Sequence, residues 1–221
     1  PAGASPEDEG LAIHLLRAGT PSGTRIVQVP LETSASAFDQ QIGSFETSAG
    51  TRHVREAVDQ PEFLDAVLSL LRKGSQIGGR RAAMTGAAND SLTPVSGVKA
   101  AEQVQVIAGE QSNTSVIVET SSSPVILKVF RTLSPGDNPD ITLQGALAAS
   151  HSPFVPASVG HVAGAWQRPD GEGRDVGQLA FAQEYLEGTT DAWRECLRLA
   201  ADGTDFTARA RELGRAAPDV D

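Results

Sequence analysis

The stretch that decides the fold is GEQSNTSVIV, residues 109–118, followed by VILKVF, residues 125–130. Read together they give a polar turn, an apolar strand, a second turn and a second apolar strand. Lys128 sits in the middle of that last strand. An apolar strand normally excludes a lysine unless an anion waits for it, because a cation stripped of water is costly. The turn offers what an anion wants. It has consecutive backbone N–H groups, the hydroxyls of Ser112, Thr114 and Ser115 and the amides of Gln111 and Asn113. A nucleotide phosphate is the expected occupant. Two plainer readings stand beside it: a lysine whose stem snorkels from an edge strand, and a hairpin turn using Asn and Ser for local hydrogen bonds.

Working outward, residues 104–108, 115–119 and 125–131 read as three strands joined by polar turns. SPGDNP at 134–139 is a turn, and residues 140–150 a short helix with Ile141, Leu143, Leu147 and Ala148 inward. Residues 162–166 and 179–185 read as two more strands, and residues 189–199 and 206–213 as helices. Thr189, Thr190 and Asp191 read as helix caps and Trp193 as a packing residue.

Upstream, residues 11–18 and 26–31 alternate in polarity around GTPSGT and predict a β-hairpin, with Pro30 placing the second strand's end at an edge. Residues 42–45 and 51–54 suggest further strands. Pro61 and Glu62 open a helix whose Phe63, Leu64, Val67, Leu68 and Leu71 fall at helical spacing, closed by Lys73 and Gly74. Residues 74–99 are rich in small and polar residues and read as a linker and domain boundary. Residues 1–10 read as a solvated acidic lead.

Composition narrows the function. The 221 residues carry a net charge of −10, which argues against non-specific nucleic-acid binding and against an anionic membrane surface. The single cysteine, Cys196, allows no disulfide framework within one chain, and the four histidines stand far apart with no zinc spacing. No segment approaches the length of an apolar membrane span. The opening residues do not read as a secretory signal, so a cytoplasmic protein is expected.

Three strands, a helix and two strands is the order of the smaller lobe of kinase-like phosphotransferases. There a turn covers the phosphates, a third-strand lysine pairs with them, and a hinge after the last strand reads adenine. The corresponding parts here are residues 111–115, Lys128, and Gln183, Glu184, Tyr185 and Leu186. Neither GxGxxG nor GxxxxGK[ST] is present, so the signal is the joint pattern.

GEQSNTSVIV, VILKVFRTLSPGDNPD, FAQEYLEGTTDAW and DGTDFTARARELGRA together resemble the actinobacterial maltokinases, over roughly residues 104–216. Residues 11–73 are similar, more loosely, to that family's N-terminal cap. The resemblance implies an α+β chain. Residues 11–73 would form a small sheet-plus-helix cap, 74–99 a linker, and 100–188 a protein-kinase-like N-lobe with an antiparallel sheet. Residues 189–216 would lead to a helical lobe outside this chain.

It also implies transfer of the ATP γ-phosphate to maltose, giving maltose 1-phosphate for glucan synthesis from trehalose, with glucosamine kinases as relatives. Gln111, Ser112, Asn113, Thr114, Ser115 and Lys128 would hold phosphate, and Glu184 and Leu186 would face adenine through backbone groups. ATP and Mg2+ are the implied cofactors, and the sugar would bind through the helical lobe.

Three departures qualify the pattern. The aromatic, basic stretch expected before Leu11 is missing. Thr142 stands where a glutamate should pair with the lysine, leaving Asp140 as the nearby acid. No His-x-Asp follows any histidine, so catalytic residues and magnesium ligands are expected outside this chain, which should be inactive alone. A non-catalytic regulatory or interaction module derived from the same family, packing on a partner or on a second copy, is the alternative.

Overall fold

A computed structural model describes residues 9–21, 23–79, 82–88, 104–107, 112–150 and 155–216. Gln111, residues 1–8 of the expected lead and the expected linker beyond Ala88 lie outside the described residues. The fold is α+β, built on two antiparallel sheets. The chain divides into two compact units, the first running to Tyr185 and the second starting at Leu186.

The first sheet contains β1 (Gly10–Thr20), β2 (Gly23–Ser34), β3 (Gly43–Thr47) and β4 (Gly50–Glu56), in the order β1-β2-β4-β3. Helix α1 (Pro61–Lys73) follows. Its proline lies in the first turn, where the missing N–H costs nothing, and Gly74 ends it in the left-handed region at φ 57°. One face of α1 buries Phe63, Leu64, Val67, Leu68, Leu70 and Leu71, the contiguous stripe expected from the 3.6-residue period.

The expectation for Pro30 is corrected. It lies inside β2 opposite Ile13, and β2 runs on to Ser34. On its other side β2 pairs with β10 (Thr132–Leu133) at Ile26 and Val27, and with β4 from Leu31 onward. Pro30 falls at the handover between those partners. Its carbonyl accepts from the Ala57 N–H at 3.0 Å. A proline, which has no N–H to donate, fits where the ladder passes from one partner to the next.

The second sheet is larger, with the order β5-β6-β11-β12-β9-β8-β7. It is formed by β5 (Gln76–Gly78), β6 (Ala82–Ala88), β7 (Val104–Ile107), β8 (Asn113–Val118), β9 (Val125–Phe130), β11 (Ser158–Gln167) and β12 (Arg174–Glu184). Helix α2 (Pro139–Ala149) is inserted between β10 and β11.

The expected linker is therefore corrected: β5 and β6 fall inside it, and β6 pairs with β11 along its length. At Gly86 the small residue reflects a close approach, not a loop. A Cβ on Gly86 would run into the backbone of Leu70 in α1. Strand β6 is thin because α1 lies directly on it. One hydrophobic cluster joins α1 and Ile26 of the first sheet to Val116, Leu127, Val129, Val162 and Phe181 of the second.

In α2, Ile141 is buried as expected, but Leu143 is 61% exposed. The inward stripe is narrower than the sequence suggested. In the second unit, α3 (Ala192–Ala201) and α4 (Thr207–Ala216) are the two helices among the described residues. Asp191 caps α3, its carboxylate accepting from the Arg194 N–H at 2.9 Å. Trp193 is 70% exposed, against the expectation that it packs.

Candidate functional site

Lys128 lies in β9, between β8 and β12 in the larger sheet. Val125, Leu127 and Val129 point to the core and are essentially inaccessible. The alternate face carries Ile126 and Lys128, both half-buried. Residues opposite one another in an antiparallel ladder share a face. Lys128 is opposite Ser115 of β8 on one side and Phe181 of β12 on the other. Phe181 is in turn opposite His161 of β11. The row Ser115, Lys128, Phe181, His161 therefore crosses the sheet on one face. Ser115 and Phe181 are buried, so the lysine stem rises between two sealed neighbours. Among the described residues Lys128 has neither an ion-pair nor a hydrogen-bond partner. Partial burial strengthens the pairing of such a cation with any anion that reaches it.

The expected turn is shorter than predicted. Asn113, Thr114 and Ser115 belong to β8, in register with Phe130, Val129 and Lys128. Ser112 precedes the strand, and Gln111 lies outside the described residues. Ser112 and Asn113 line a polar cavity of about 300 Å³ together with Phe130, Asp137, Asn138 and Asp140. Lys128 is not among its lining residues. The loop into α2 is held by Gln178 of β12, which accepts from the Asn138 N–H at 2.8 Å and donates to Asp137 at 3.1 Å. Asn138 accepts from the Asp140 N–H at 2.9 Å. Asp140 is thus a first-turn acid of α2, where the helix dipole favours it. The exposed Thr142 turns its hydroxyl back to the Pro139 carbonyl at 3.1 Å.

At the other end of the face, Gln183 is opposite Ile126 on β9 and Ser158 on β11. The Oε1 atom of Gln183 is buried without a hydrogen-bond partner, as is Oε1 of Gln144 in α2. The Glu184 N–H donates to the Ala157 carbonyl at 2.8 Å, and the Tyr185 N–H to Pro124 at 3.1 Å. Both fix the end of β12. Leu186 begins the second unit, where its carbonyl accepts from the Thr189 hydroxyl at 2.7 Å.

Two residues escaped the sequence reading. Sequence marks Gln183 only as part of the hinge, whereas strand pairing puts it on the face of Ile126 and Lys128. Arg131 directly follows VILKVF. Its side chain donates to the Thr114 hydroxyl at 2.7 Å and to Glu56 of β4 at 2.8 Å. Its partners come from distant strands, so no local signal marks them.

Among the described residues the other titratable groups form no second site. Burial pushes the His161 pKa down, and the nearby Asp137 carboxylate partly opposes this. His53 is bonded to Gln41 at 2.9 Å on the surface. Cys196 is free and half-buried. Among the described residues no cluster of three His, Cys, Asp or Glu side chains is placed to hold a metal.

No family model matches the chain. Among the solved structures similar to it are those of a glucosamine kinase in crystal forms A and B. The first has 21% identity and a TM-score of 0.41, covering 94% of this chain and 44% of its own. The second has 18% identity and a TM-score of 0.42, covering 90% and 42%. The chain thus spans less than half the length of these structures.

Proposed function

We propose that this chain is the N-terminal, nucleotide-binding part of an ATP-dependent sugar kinase similar to the maltokinases, acting in the cytoplasm. Maltose is the acceptor the sequence resemblance favours, and glucosamine the second. In the overall reaction a sugar hydroxyl attacks the γ-phosphorus, the bond to the bridging oxygen breaks, and ADP and a proton leave. The observation that carries this reading is Lys128, a half-buried cation with no partner among the described residues, in register with Ser115.

The residues fit a nucleotide at two ends of one sheet face. Lys128 and Ser115 suit a phosphate. The unpartnered Gln183 Oε1 suits an N–H donor such as an exocyclic amine. Magnesium would be held by the phosphates and by carboxylates of the helical lobe that the resemblance implies. Base catalysis and sugar binding belong to residues beyond this chain.

The test is ATP titration by calorimetry of the 221-residue chain and its Lys128→Ala variant. Loss of a charge-assisted contact predicts affinity weaker by about tenfold or more, with the fold unchanged. Equal affinity would remove the assignment. A non-catalytic interaction module is the second reading, favoured by Trp193 and Leu197, which lie one turn apart on α3 at 70% and 53% exposure. Self-association of the chain, lost in Trp193→Ala, would favour it.

A further inference from the structure

We propose that Arg131 is a positioning residue that ties the phosphate-facing start of β8 to the first sheet, so that the cap sets the nucleotide affinity of the lobe. This rests on the nucleotide reading above, but its structural half stands apart from it. Arg131 is the residue at which the chain leaves β9 and crosses to β10. Its N–H donates to the Ser112 carbonyl at 2.9 Å, and its own carbonyl accepts from the Gln28 N–H of β2 at 2.8 Å.

The side chain repeats the bridge. Nε donates to the Thr114 hydroxyl at 2.7 Å and Nη1 to Glu56 of β4 at 2.8 Å. One guanidinium thus holds the phosphate strand with one nitrogen and the cap with another. The planar fork fixes the two directions relative to each other, which a lysine cannot do. Ser112 and Thr114 flank Asn113, and Ser115 stands opposite Lys128. Thr114 shares its face with Val129, so the tie from Glu56 acts on the backbone either side of Asn113, next to Ser115. Arg131 has no such contact with the cation site itself, so its effect is through Ser112 and Thr114.

The experiment uses the full chain, with Glu56→Gln and Arg131→Lys as variants. Glu56→Gln alters only the cap end of the bridge, on a half-exposed side chain, so it keeps the test alive if Arg131→Lys fails to fold. Hydrogen exchange is followed without nucleotide over residues 112–118, with β11 and β12 as internal reference. Both variants are expected to speed exchange in that segment by about tenfold and leave the reference unchanged. The double variant is expected to be no worse than Arg131→Lys alone, as members of one network behave. Exchange that is unchanged at 112–118, or that rises evenly across the sheet, overturns the tether.

ATP affinity is then measured for the same proteins. A loss of about tenfold in Glu56→Gln supports the coupling to nucleotide. Unchanged affinity overturns it. If the unmodified chain binds no ATP, the functional reading fails, while the tether is judged on exchange alone.

Discussion

A lysine in an apolar strand is a local anomaly, and anomalies are where sequence speaks most clearly. Lys128 could be flagged from six residues because its neighbours demand burial and its charge resists it. Glu195 shows the opposite case, a residue whose role comes from partners not adjacent in sequence. It accepts from Arg198 one turn away at 2.8 Å and pairs with Arg209 of α4. The hydrogen bonds from Arg198 and then Arg209 hold its pKa at about 2. A carboxylate depressed below its unfolded value stabilises the fold fully above its ordinary value of 4.5 and stops doing so as pH falls through about 2. Acid titration followed by NMR should therefore show the Glu195 carboxyl titrating near 2. The α3–α4 contact should loosen over that range in the chain, and no such step should remain in Glu195→Gln. The Asp191 cap and the strand that carries Lys128 were legible in this local sense. Gln183 and Arg131 were not, since what makes each notable is a partner, or the lack of one, on another strand.

At the scale of elements, strands with alternating or β-branched residues were readable and thin ones were not. β8 and β9 carry NTSVIV and VILKVF, and the amphipathic stripe of α1 leaves little choice of conformation. β6 is AAMTGAA, which has no strand propensity to speak of. It is a strand because β5 and β11 pair with it on its two sides, and at Gly86 α1 comes too close for any side chain. Gly86→Ala should make this visible. The added methyl meets the Leu70 backbone, which cannot swing aside as a side chain would. The expected cost is about 1–3 kcal/mol in urea unfolding. Gly78→Ala in β5 has open space around the new methyl and should stay within about 0.5 kcal/mol. Equal effects at the two positions would refute the close packing of α1 on β6. The exposed Leu143 teaches a related lesson, because helical spacing marks which positions share a face and not how wide the covered face is.

On the scale of the whole molecule, the first unit is one body with a single core spanning both sheets. The sequence divided it at 74–99 because small residues resemble a linker when their packing partner is unknown. The fold class and the strand–helix–strand order of the larger sheet were legible, since they follow from hydrophobic pattern. The handover of β2 from β4 to β10 was not, since it depends on contacts between residues a hundred positions apart. That handover brings β4 and the start of β8 within reach of one arginine.

The central claim is that Lys128 stands beside a bound triphosphate. An ATP acyl-phosphate, which transfers its acyl group to a lysine amine held near the phosphates, tests it directly when the three candidate lysines are read by peptide mass spectrometry. Lys128 should be acylated well ahead of Lys73 and Lys99, and excess ATP should suppress that labelling alone. Labelling of Lys73 or Lys99 at the same rate as Lys128, or labelling of Lys128 that ATP does not suppress, would contradict the account.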